Sequence, residues 1–107
     1  MKSVSWIGLT LLGVLATQPG TARAADLANG KALGQRLCVN CHIVVQGEAG
    51  GRVTAGIPAF KDIANKPNQT ARNIQDRMLN PHPPMPEVQL TNNERADLAA
   101  YILSLKD

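Results

Sequence analysis

Apolar residues in this chain first form one unbroken run and then recur at helical spacing. The run, Trp6 to Ala16, covers eleven residues behind Lys2 and ends at Pro19-Gly20. Beyond it, Leu27, Gly30, Leu33, Gly34 and Leu37 fall on one broad face of a helix predicted over Asp26 to Cys38, with Asp26 as N-cap. Gly30 and Gly34 lie four apart, so both open the same face to close packing by a partner helix. A helix predicted from Thr70, its N-cap, to about Leu79 turns Ile74, Met78 and Ala71 inward; Pro81 stops it. Thr91-Asn92-Asn93-Glu94 is a capping box, and it starts a last helix to about Leu105 with Leu98, Tyr101, Ile102 and Leu105 as its apolar stripe. No stretch shows the apolar-polar alternation of a strand, and there is no repeat or low-complexity tract.

Three connecting stretches separate these elements. Residues 43–57 lack periodicity and carry Gly47, Gly50, Gly51 and Gly56, so they read as loop. Pro58 opens a short helical turn that faces Phe60 and Ile63 inward, and a second turn over Asn65 to Gln69 centres on Pro67. Pro81, Pro83, Pro84 and Pro86 then make residues 80–87 a stiff, extended loop that excludes helix and central strand.

The first apolar run has the form of a secretory signal peptide. Lys2 is its positive end and Ala22-Arg23-Ala24 fits the small-x-small cleavage pattern, so residues 1–24 are expected to be cut off after Ala24. Eleven apolar residues fall short of the ~20 that span a bilayer, which argues against an uncleaved anchor and leaves no transmembrane segment in the mature chain. Residues 25–107 then form one domain of 83 residues, exported to the periplasm. Its aromatics are Phe60 and Tyr101 alone, a thin core for a chain that size. Taking Lys2 and Arg23 from the eleven basic side chains leaves nine against eight acidic ones, so the whole-chain +3 falls to +1. No nucleic-acid partner is implied.

Chemistry concentrates in Cys38-Val39-Asn40-Cys41-His42, which holds both cysteines of the chain. C-x-x-C-H is the attachment signature of c-type haem. Each thiol can add across one haem vinyl group, and the adjacent histidine reaches the iron from the same face. Three other readings compete. A dithiol redox pair expects a βαβ setting, which the pattern lacks. Zinc wants four ligands, and only His42 and His82 remain, at no familiar spacing. A disulfide across four residues removes little chain entropy. A covalent porphyrin, by contrast, supplies the flat apolar bulk that the core lacks.

The far side of the iron takes a second ligand, commonly methionine in electron carriers. Met1 leaves with the leader, and Met78 lies on a helical face where it packs. Met85 sits among prolines with no core position to fill, and is the expected sixth ligand; His82, three residues away, is its rival.

These features together resemble a small bacterial class I cytochrome c over nearly all of residues 25–107: a glycine-bearing helix before C-x-x-C-H, a proline-rich methionine loop, and a last helix reading Leu98-Ala99-Ala100-Tyr101-Ile102. The resemblance implies an all-α fold in which N- and C-terminal helices cross around one covalently bound haem c, with Gly30 under the Tyr101 turn. It implies thioethers from Cys38 and Cys41 and axial ligation by His42 and Met85. It also implies that the carbonyl of Pro58 holds the ligating histidine ring. The tryptophan and extra tyrosine that hold a propionate in mitochondrial relatives have no match here.

The expected function is that of a periplasmic electron carrier, not an enzyme, whose six-coordinate iron cycles between ferric and ferrous. Redox donor and acceptor proteins would dock transiently at an exposed haem edge. Two alternatives stand beside it. One is a dedicated cytochrome subunit held in a dehydrogenase or oxidase complex. The other is a haem enzyme or gas sensor with a displaceable sixth ligand.

Overall fold

The computed structural model describes residues 23–47 and 55–107, with residues 3 and 13 in isolation. The expected leader, residues 23 and 24 and those two aside, and the middle of the glycine-rich loop lie outside the described residues.

Four helices account for the regular structure described: α1 (Leu27–Leu37), α2 (Phe60–Ala64), α3 (Ala71–Leu79) and α4 (Asn92–Ser104). Their starts follow local side-chain chemistry. Asp26, Thr70 and Thr91 each accept the N–H three residues on, from Asn29, Asn73 and Glu94. Glu94 reaches back to the Thr91 N–H at 2.7 Å, completing the capping box. At α2 only half of such a box exists: Asp62 accepts the Ala59 N–H at 3.2 Å, and alanine has no oxygen to return the bond. α1 stops one residue short of its expected end, with Cys38 as its C-cap.

α4 is the hub. It packs against α1, α2 and α3, and α1 crosses it at Gly30. A Cβ at Gly30 would stand 2.1 Å from the backbone oxygen of Asp97 and 2.8 Å from Cβ of Tyr101. Glycine is therefore a requirement of the crossing, as the spacing predicted. Gly34, one turn on, faces Val44, Phe60 and Leu98. Gly30→Leu should destabilise the protein by about 1–3 kcal/mol through overpacking. Even Gly30→Ala should destabilise, because the ~1 kcal/mol gain in helix propensity is set against overlap with a backbone atom that cannot move aside. Denaturant unfolding of both variants checks the sign; a neutral Gly30→Ala would contradict the crossing.

Leu33, Val44, Phe60, Ala64, Ile74, Met78, Leu98, Ala99, Tyr101 and Ile102 form one core cluster. Met78 is buried there, as its helical position predicted. Leu27 and Leu37 differ from expectation: they are 50% and 39% exposed. The inward face of α1 is narrowed to Gly30, Leu33 and Gly34 because the close crossing leaves room for little else. Val44 differs the other way. Nothing periodic marks it, yet it is fully buried, under Gly34 and beside the Tyr101 hydroxyl, which donates to its carbonyl at 2.8 Å.

Asp97 was not foreseen at all. Its position four before Tyr101 puts it on the buried stripe of α4, and that spacing was the available signal. Its carboxylate is closed to solvent and accepts four bonds. Arg23 donates Nη1 to Oδ1 at 2.9 Å and Nη2 to Oδ2 at 3.0 Å. The Asp26 N–H gives 2.8 Å to Oδ1, and Asn29 Nδ2 gives 2.8 Å to Oδ2. The cover is thin, since the Arg23 side chain is itself 45% exposed. The guanidinium, then the Asp26 N–H and Asn29, hold this carboxyl well below the usual carboxylate range. A depressed folded-state pKa lends stability that is present above the ordinary carboxylate value and lost as pH falls below it. Asp97→Asn should therefore flatten the loss of stability below about pH 4, measured as thermal midpoint against pH.

Candidate functional site

α1 delivers the two cysteines. Its last hydrogen bond, Cys38 N–H to Gly34 O at 2.9 Å, leads straight into a tight turn. Cys41 N–H and His42 N–H both donate to Cys38 O, at 3.1 and 2.9 Å. Cys38, Cys41 and His42 thus occupy consecutive corners of one turn, all partly buried. Both thiols are unpaired. Burial, then the neighbouring Cys41, pushes the Cys38 thiol up to about 11, so it stays protonated at neutral pH. That is the reverse of a reactive dithiol, whose attacking cysteine is held as thiolate. Among the described residues no three of His, Cys, Asp and Glu gather as a metal site, which leaves zinc without a ligand set.

The histidine is fixed from outside the turn. His42 Nδ1 lies 2.6 Å from the carbonyl oxygen of Pro58. A carbonyl only accepts, so Nδ1 carries a proton, and in the neutral ring Nε2 is then the nitrogen left for a metal. Phe60 N–H donates to Ile43 O at 3.0 Å, a second tie between the same two stretches. The His42 ring tilts against Phe60 with centroids 5.5 Å apart, and Phe60 meets Tyr101 edge-on at 6.3 Å. The imidazole is thereby braced, through Phe60, on α4. Pro58 occupies the place that the resemblance gave it.

Residues 80–90 carry the other candidates. The loop is not extended throughout: Met85 N–H donates to His82 O at 2.8 Å, closing a turn at Pro83-Pro84. The turn separates the two rivals. His82 is exposed, whereas Met85 is partly buried and packs against the core cluster. The donor set therefore fits a covalently held porphyrin: two unpaired thiols in one turn, an imidazole anchored through Nδ1, and a thioether packed against the core.

The cytochrome c family model matches residues 27–106. The chain belongs to the cytochrome c family. Cytochrome c-552 of Bradyrhizobium diazoefficiens is 36% identical over 99 residues, which cover 92% of this chain and 93% of that protein. No solved structure matches the chain. As a cytochrome c it is a haem-containing electron carrier with covalently attached haem c, and its all-helical architecture is that of the class I fold. An electron carrier of this kind works between redox partners, and none of its described helices is long and apolar enough to cross a membrane.

Proposed function

We propose that residues 25–107 act in the periplasm, after removal of residues 1–24, as a mono-haem carrier that cycles between ferric and ferrous and catalyses no reaction of its own. Cys38 and Cys41 supply the two thioethers. His42 Nε2 and the Met85 sulfur would hold the iron. The observation that carries this reading is the bond from His42 Nδ1–H to Pro58 O at 2.6 Å, made in the same turn as two free thiols. It fixes the tautomer and aims the other ring nitrogen.

The bound haem supplies a one-electron couple at its iron. The chain's own residues do the rest. Pro58 and Phe60 keep the imidazole from rotating, so the direction of Nε2 is fixed. Met85 adds a sulfur that favours the ferrous form and fills the sixth position against outside ligands. Leu33, Phe60, Leu98 and Tyr101 exclude water from the core. A relative named cytochrome c-552 supports the carrier role. Donor and acceptor proteins dock briefly at the haem edge through a small interface.

Visible spectra of the oxidised and reduced exported protein test this directly. Low-spin bands in both states, with no change on adding carbon monoxide to the reduced form, are expected. A carbon-monoxide adduct at neutral pH would instead indicate an open sixth site and a sensor or enzyme.

A further inference from the structure

Asp97 is the most thoroughly satisfied buried charge among the described residues, and nothing in haem binding uses it. Among the described residues its one cationic partner is Arg23, on the leader side of the expected cut after Ala24. Processing at that site would take the guanidinium away. It would leave a closed carboxylate with two neutral donors, the Asp26 N–H and Asn29 Nδ2. Removing one partner of a buried ion pair is strongly destabilising, because the remaining charge stays desolvated.

The same cut creates a replacement. Ala25 becomes the first residue, and its nitrogen becomes an ammonium at neutral pH. Covalent geometry holds that nitrogen roughly 3 Å from the Asp26 nitrogen, which already donates to Asp97 Oδ1 at 2.8 Å. The ammonium thus stands one peptide unit from the oxygen that Arg23 Nη1 now holds at 2.9 Å. We propose that, in the processed protein, the α-ammonium of Ala25 takes the place of Arg23 as the counter-charge of Asp97. Cleavage thus moves the ion pair from the leader to the new N-terminus and pins that terminus to α4 beside the Gly30 crossing. The other charged group facing this site is the Asp26 carboxylate. It accepts the Asn29 N–H at 3.0 Å and adds a second attraction for a cation.

The proposal rests on removal of residues 1–24, and the test reads that step separately. The intact mass of the exported holoprotein gives its first residue. Acetylation of the α-amine is then followed against pH by peptide mass spectrometry. The comparators are the Asp97→Asn holoprotein and a free peptide of residues 25–33. The expected result is a chain beginning at Ala25 whose α-amine reactivity rises with a midpoint about one pH unit or more above that of the peptide. Asp97→Asn should return the midpoint to the peptide value. If that variant yields no holoprotein, the comparison of wild type with peptide decides alone. A chain beginning at Arg23 overturns the proposal and keeps the guanidinium as the partner, while leaving export intact. A chain that retains residues 1–24 overturns the export reading as well. A chain beginning at Ala25 with an unshifted midpoint, even if it reacts slowly, means that the amine is merely shielded and the ion pair does not form.

Discussion

Met85→Ala is expected to lower the reduction potential by a few tenths of a volt, within the ~0.8 V that axial ligands span. It should also turn the ferrous protein into one that binds carbon monoxide. Two effects act together. The thioether is a soft donor that favours the ferrous state, so its loss stabilises ferric iron. Its loss also vacates a coordination position that small ligands can enter. The turn that the Met85 N–H closes onto His82 O leaves Met85 partly buried against the core while His82 stays exposed, which is the basis of this expectation. Met78 is buried on α3 with Ile74, so Met78→Ala should reduce stability with little change in potential. His82→Ala should change neither. Voltammetry and carbon-monoxide difference spectra on the three variants separate these outcomes. A low-spin spectrum that survives Met85→Ala and disappears in His82→Ala would show a bis-histidine iron.

Cys38→Ser and Cys41→Ser are expected to remove most of the holoprotein from the exported fraction, and with it most of the folded chain. The core cluster among the described residues contains two aromatic side chains, Phe60 and Tyr101. Helix α2 is a single turn, and Leu27, Leu37 and Leu79 are exposed. A domain of this size buries too little on its own to be securely stable. Covalent attachment makes the haem part of the chain, so the energy of haem packing and iron ligation becomes folding energy. Acid-acetone extraction should leave haem on the wild-type protein, and haem-free chain should show little cooperative unfolding by circular dichroism. An apoprotein with a thermal midpoint like that of the holoprotein would contradict the second expectation.

Much of this was legible along the chain because it depends on neighbours in sequence. Thr91 and Glu94 cap α4 through bonds spanning three residues, so a short string of residue types suffices to announce them. The turn from Cys38 to His42 is equally local, which is why five residues indicate the attachment chemistry. Gly30 was legible for another reason: glycine in a helix is unfavourable, so its presence signals a close approach.

What could not be read depends on elements far apart in sequence meeting in space. Val44 looked like loop, and only the packing of Gly34 and the Tyr101 hydroxyl around it makes it core. The Pro58 carbonyl that holds the His42 ring, sixteen residues away, was legible only through the family resemblance. The bonds that satisfy Asp97 come from the start of α1, some seventy residues earlier. By itself the sequence determined where the helices start, which residues carry the haem-attachment signature and which glycine marks the crossing, because those follow from bonds within a few residues. The tertiary structure alone decided the buried carboxylate of Asp97 and the burial of Val44. Each of these depends on how much solvent a crossing element displaces, and no single stretch of chain encodes that.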